Sequence, residues 1–249
     1  MRIQTRKNII VFLMLSLMVV GSEYISAQSN SIHTLHLGYN PVEGSIYYYR
    51  LVRMIDELKK RSGVELKIIS MPSKRSLRVS NKGIIDGEMS RVRSLSKNLS
   101  YTNLKIVDAP WMNGTMRAIS NKHSNIDISG WEDLGRYRFC YSRGVIYIEN
   151  KIEEYKLTES EPFNKAMQAL QMIVKNRCTV TAYWYELYNN EELNFMKKNN
   201  LIPIYELAAM DGFIYLHKNH EHLIPTIRET LINMERDGIR AAIFEDSEI

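Results

Sequence analysis

Apolar and polar positions take turns along residues 34–39 (TLHLGY) and 64–71 (VELKIISM), the period of a strand with two unlike faces. Between them the period changes. Over residues 45–61, Tyr48, Leu51, Val52, Ile55 and Leu58 fall on one helical face with charges opposite, and Gly63 closes the helix. Pro72-Ser73 opens a short helix, with Ser73 as its cap and Gly83 as its stop. Residues 84–89 and 104–109 predict a third and a fourth strand. Strands alternating with helices point to a mainly parallel sheet covered on both faces.

The alternation then begins again. Residues 116–120 read as extended, a short helix starts at Trp131, and residues 137–142 predict a strand that ends at Gly144. Helices follow over 146–155 and 163–175, the second aligning Met167, Leu170 and Val174. Residues 180–185 predict a strand, and a polar helix runs from there to Asn200. Two more strands are expected at 202–207 and 212–217. A last helix from Pro225 shares Ile227, Leu231 and Met234 on one face, with Gly238 as its stop. Two α/β lobes are thus expected, residues 28–113 with 206–249 and residues 114–205. Extended segments near 114–120 and 202–209 would cross between them, an arrangement that permits hinge closure over a ligand.

The beginning of the chain speaks of location. Arg2, Arg6 and Lys7 precede an uncharged apolar run from Ile9 to Val20, and Ile25-Ser26-Ala27 offers small residues for cleavage. Residues 1–27 therefore read as a signal peptide that exports the chain to the periplasm or beyond, an uncleaved anchor being the other reading. Part of the +5 formal charge of the 249 residues lies in that segment, and elsewhere Lys and Arg are interspersed with acids. No basic stripe with interleaved aromatics occurs, so nucleic acid is not an expected partner. Cys140 and Cys178 are expected as buried free thiols, with a disulfide as the alternative that an oxidising compartment permits. Neither stands in CxxC spacing or beside a base, so no catalytic thiol is expected.

The order of motifs carries more than any one of them. A strand ending Gly38-Tyr39 comes first, then Pro72-Ser-Lys-Arg75-Ser-Leu77 and Lys82-Gly-Ile-Ile-Asp86-Gly-Glu-Met-Ser-Arg91. Gly130-Trp-Glu-Asp-Leu134, Lys175-Asn-Arg177 and Leu216-His-Lys-Asn-His-Glu-His-Leu223 follow, with Asp237-Gly238 near the end. This sequence resembles the bacterial periplasmic solute-binding proteins of family 3, the type II group serving polar amino-acid importers. The resemblance implies two α/β lobes joined by two extended crossings, with a ligand cleft between them. It implies a monomer that captures a small polar solute, amino-acid-like or otherwise carboxylate-bearing, without altering it, and delivers it to a membrane permease or reports it to a sensor. It also implies an arginine of the first lobe on the ligand carboxylate, for which Arg91 comes first and Arg75 and Arg93 next. A guanidinium suits that task because its planar fork donates two parallel bonds to one carboxylate. The competing reading of Arg91 is an ion pair with Glu88 or Asp86. In the second lobe Val145 follows Gly144, where family members carry a small hydroxyl residue, and Arg143 precedes it. Glu186 stands near the place of the family's aspartate, which pairs with the ligand's amino group. Tyr39, Trp184 and Trp111 are the aromatic candidates for the cleft.

Other constellations point less far. His217, His220 and His222 form an HxxHxH cluster in a polar turn, with no closing ligands in view, so a solvated loop is expected and no metal. There is no GxSxG, HExxH, P-loop or dinucleotide fingerprint, and no cofactor is expected. Two alternatives remain open. One is a binding-protein fold acting as a sensor or partner-binding module. The other is a periplasmic lyase or dehydratase, with Glu88 and Glu186 as its acid–base pair.

Overall fold

Ser45 starts the first long helix by accepting the Tyr48 N–H on its hydroxyl at 3.2 Å, and Gly63 ends it at φ 70°, with its N–H on the Lys59 carbonyl. Lys59, Lys60 and Arg61 in the last turn complement the helix dipole. This helix, α1 (Ile46–Ser62), joins β1 (His33–Tyr39) to β2 (Val64–Ser70). A computed structural model describes residues 33–40 and 42–245, so the expected signal peptide lies outside the described residues. The buried face of α1 is Tyr47, Leu51, Met54 and Leu58. It is turned by about one position from the expected stripe, and Val52 is left exposed because Tyr47 and Met54 fit the helical period more closely.

In the first lobe β1 is central. It pairs in parallel with β2 on one side and with β3 (Gly87–Arg91) on the other. The short α2 (Ser73–Asn81) is capped by Pro72 without a side-chain hydrogen bond, not by Ser73 as expected, because the Ser73 hydroxyl serves Arg91 instead. The edge strand β4 (Leu104–Ile106) and β3 both run antiparallel to β9 (Leu201–His217). The second lobe holds β5 (Met112–Asn121), β6 (Phe139–Ser142), β7 (Ser160–Phe163) and β8 (Val180–Trp184), with β6 parallel to both β7 and β8. Its helices are α3 (Ile146–Glu154), α4 (Ala166–Val174) and α5 (Asn190–Lys198). The strand order is β2-β1-β3-β9-β5-β8-β6-β7, with β4 on β9. Each lobe has a parallel core, and the strands between the cores are antiparallel. The described residues form one compact unit in which the lobes are continuous.

β9 replaces the two strands expected at 202–207 and 212–217. Its residues from Leu201 to Gly212 pair along β5, and from Phe213 to His217 its partners change to β3 and β4. Ala208, Ala209 and Met210, which carry no strand signal of their own, are held extended by Met116, Thr115 and Gly114 opposite. Gly87 permits the change of partner: a Cβ there would collide with the Tyr215 carbonyl. The chain closes with α6 (Ile224–Arg236) and α7 (Ile239–Glu245) after Gly238. Sequence periodicity did not show α7, because Gly238 at φ 73° reads as an end rather than a corner.

The first lobe is filled by Leu37, Leu51, Met54, Met89, Ile227 and Leu231 among others. Alternation along β5 sends Ile119 to a cluster with Phe163, Leu170 and Met196, and sends Met116 and Ala118 to one with Trp131, Phe139 and Ile148. The second lobe is therefore covered on both faces. In α4 the buried side chains are Ala166, Ala169, Leu170, Met172 and Ile173, while Val174 is exposed, unlike the expected alignment. Cys140 on β6 and Cys178 just before β8 are joined by a disulfide with Cα atoms 5.9 Å apart, which corrects the expectation of free thiols. Neighbouring parallel strands bring the two Cα atoms within bridging distance.

Candidate functional site

Strands β1, β3, β6 and β8 all end at one opening, as do the first turns of α2 and α3. A cavity of about 830 Å³ lies there, with walls from both lobes and from the crossing strands. The carboxyl ends of parallel strands are where ligands meet an α/β sheet, because helix N-termini and their free N–H groups converge there. Neither α2 nor α3 has a side-chain cap, so first-turn N–H groups face this region unmasked by a Ser or Asp.

From the first lobe, Tyr39, Tyr47 and Ser90 form a hydrogen-bonding wall. The hydroxyls of Tyr47 and Ser90 are 2.7 Å apart, and the rings of Tyr39 and Tyr47 stack at 6.1 Å. Burial raises the hydroxyl pKa of Tyr39 well above its ordinary value and that of Tyr47 to about 12, so both present neutral O–H groups. From the second lobe come Arg143 and Tyr147 around the α3 N-terminus, with Tyr183 and Trp184 at the end of β8. Gly114 on β5 makes room for Trp184: a Cβ there would stand 3.3 Å from the indole Cε3 and 3.1 Å from Glu186 Oε2.

Arg91 lies on the cavity wall, yet its fork is occupied. Nε donates to Glu88 Oε2 at 2.6 Å, Nη2 pairs with the same carboxylate, and Nη1 donates to Ser73 Oγ at 2.6 Å. Both readings of Arg91 thus meet in one residue, because the ion pair with Glu88 sits directly behind the wall. Glu88 is fully buried and also accepts from Ser76 Oγ at 2.6 Å and Ser80 Oγ at 2.5 Å. Its oxygens are saturated, and it does not line the cavity.

The other sequence candidates divide in the same way. Tyr39, Arg143 and Trp184 line the cavity. Arg75 is exposed on α2 and off the wall. Trp111 is wholly buried in the first-lobe core, its indole N–H without a partner among the described residues. Glu186 accepts the Thr115 N–H at 2.8 Å and is also off the wall. Arg93 leaves the cleft for Asp108 at 2.6 Å. Lys74, Lys97, Asn113, Asn164 and Asp211 are wall residues that sequence reasoning passed over. Asn164, just beyond the end of β7, carried an available signal, whereas Asn113 and Asp211 lie within β5 and β9 and carried none.

The histidine turn belongs elsewhere. His217 is buried against Gly83, and His220 Nε2 lies 2.8 Å from Asp86, which His36 approaches at 3.5 Å. Among the described residues no group of three or more His, Cys, Asp or Glu is placed to hold a metal, and no helix is long and apolar enough to cross a membrane.

No family model matches the chain. An uncharacterized protein of Shewanella oneidensis is 22% identical over 183 residues, covering 68% of this chain and 64% of that protein, so the chain spans less than two thirds of its relative's length. Solved structures are similar over most of the chain. A mutant of ArgBP from T. maritima superposes with a TM-score of 0.68 at 18% identity, covering 85% of this chain and 93% of that one. The amino acid ABC transporter substrate-binding protein AbpA of Streptococcus pneumoniae, bound to L-arginine, gives 0.67 at 14% identity, with 86% and 93% covered. A histidine kinase sensor domain with similarity to periplasmic binding proteins gives 0.68 at 14% identity, with 85% and 95% covered. At these identities the likeness is one of fold, and the fold is that of the type II periplasmic binding proteins.

Proposed function

We propose that this chain is an exported solute-binding protein that closes its two lobes over a small polar, carboxylate-bearing molecule. The observation that carries the reading is the cavity of about 830 Å³ walled by the strand ends of both lobes at once. A solute touching both walls binds the closed state better than the open one and shifts the equilibrium toward it by that difference. The volume suits a small organic solute. Of the cations on the wall, Arg91 and Lys74 are paired with Glu88 and Glu149, while Lys97 and Arg143 have no carboxylate partner among the described residues, which favours an anion.

Export is supported by the leader pattern of residues 1–27 and by the disulfide, which suits an oxidising compartment. The proposed lobes are residues 28–113 with 206–249 and residues 114–205, a division supported by each change of lobe falling within the paired strands β5 and β9. The reading carries no chemistry on the solute: Glu88 and Glu186, the acid–base pair a lyase would need, are hydrogen-bonded inside the protein and do not reach the cavity. The neighbours include transport and sensor proteins alike. The closed complex therefore goes to an importer or to a membrane sensor.

Native mass spectrometry of protein purified from its own compartment without refolding, with X-ray scattering on the same sample, tests the reading. A co-purifying small molecule whose removal expands the protein is expected. No bound molecule, and no compaction with a metabolite extract, would overturn it.

A further inference from the structure

We infer that the cleft selects a carboxylate lacking an α-amino group, and that Arg143, not Arg91, holds it; this rests on the binding reading above and narrows its ligand class. Four cations stand on the cavity wall; Lys97, exposed at the end of the turn after β3, offers a point charge without a planar fork, and the other three differ in what they have left to offer. Arg91 donates through Nε and Nη2 to Glu88 and through Nη1 to Ser73, so its charge is neutralised and its bidentate edge faces the protein. Lys74 pairs with Glu149 at 3.0 Å. The Arg143 guanidinium, exposed on the cavity wall directly after β6, has no hydrogen-bonding or ionic partner among the described residues. It stands two residues before Val145, the uncapped N-terminus of α3, so its fork and the helix dipole favour an anion in the same place.

A zwitterion would bring an ammonium group along with its carboxylate, and the wall does not provide for it. Glu186, nearest to the position where an acid was expected, is held by the Thr115 N–H and does not reach the cavity. Asp211, the acid on the wall, sits on the crossing strand, about half exposed, with Arg240 Nη2 at 3.7 Å. Tyr39, Tyr47 and Tyr183 present neutral hydroxyls, as tyrosines do near neutral pH, and burial raises their pKa values further. A closed cleft would therefore leave an ammonium to Asp211 alone, a carboxylate on the crossing strand that already faces Arg240, whereas the carboxylate end of the solute meets an unpartnered guanidinium. The Tyr47–Ser90 hydroxyl pair instead suits a neutral hydroxyl or keto group, and Tyr183 and Trp184 offer flat apolar faces to the body of the solute. The ligand class is a small 2-hydroxy or 2-oxo acid.

The test is calorimetric titration of the purified protein with the proteinogenic L-amino acids, each beside its own 2-hydroxy acid. At least one 2-hydroxy acid is expected to bind roughly tenfold or more tightly than its amino-acid counterpart. Arg143→Gln should weaken that binding by at least about tenfold, while Arg143→Lys restores part of it and the unfolding temperature stays unchanged. An amino acid binding more tightly than its hydroxy acid, or undiminished binding by Arg143→Gln, overturns the inference and leaves the binding reading standing. Binding by no member of either set also overturns it, and scattering with the native extract then decides the broader reading separately.

Discussion

Lys74 Nζ and Glu149 Oε1 meet at 3.0 Å across the mouth of the cleft, the lysine from the first turn of α2 in one lobe and the glutamate from α3 in the other. The same Glu149 oxygen accepts the Gly144 N–H at 3.0 Å, so this side chain both shapes the loop after β6 and reaches the opposite lobe. Ile146 adds an apolar contact beside it, against the first-lobe cluster of Leu77, Leu95 and Phe213.

Removing the latch should open the protein slightly. The lysine side chain is 58% exposed, so the pair is screened and contributes about 0.2–1 kcal/mol to closure. Lys74→Ala is expected to enlarge the radius of gyration of the ligand-free protein and to weaken solute affinity by up to about fivefold. High salt should mimic it in the unaltered protein. Scattering curves identical for variant and parent at low salt would show that this pair does not bias closure.

The buried ion pair is a different matter. Glu88→Gln keeps the shape but removes the charge that Arg91 faces, and breaking such a pair costs about 3–5 kcal/mol. Urea denaturation should show that loss. Replacing both partners, Glu88→Met with Arg91→Met, should recover much of it, because no unpaired charge is left buried. A single variant as stable as the parent would contradict the saturated arrangement around Glu88.

The disulfide joins residues 38 apart and closes a loop that includes β6, α3, β7 and α4. Reduction, or Cys140→Ser with Cys178→Ser, should lower unfolding free energy by about 2–4 kcal/mol. Solute affinity should change little, since neither cysteine lines the cavity. Denaturation with and without reductant checks the first part, and titration of the double variant checks the second.

His217 makes stability depend on pH in one direction. Burial first, then Lys218 and His220, lower its pKa from the ordinary 6.5, and Asp86 opposes them. The unfolded chain therefore takes up this proton at higher pH than the folded one. The contribution is complete above about pH 6.5 and is lost as pH falls toward the lowered folded value. His217→Asn should flatten the slope of stability against pH below about 6.5, and an unchanged slope would reassign the effect.

Much of this architecture was legible because local signals agreed with burial. Ser45 and Gly63 bracket α1 in the sequence as they do in space, and β1, β2 and β8 stand close to where alternation puts them. What was missed depends on distant partners. β7 reads Ser-Glu-Pro-Phe and becomes a strand only because β6 pairs with it. The candidate site was legible in outline, since Tyr39, Arg91, Arg143 and Trp184 do stand at the cleft. Residue type could not show that Arg91 is turned toward Glu88, that Trp111 is core, or that Glu186 is tied to a backbone N–H. These are matters of orientation, which a strand's two-residue period fixes only after its neighbours are known.

β9 also sets an order of events at the ribosome. β3 and β4 leave the exit tunnel before the whole of the second lobe, and the strand that covers them, Phe213 to His217, is made only after it. Until then the nascent amino-terminal half exposes bare sheet edges of the kind that attract other chains. The first lobe of such a polypeptide cannot be finished before the strand that returns to it from the second.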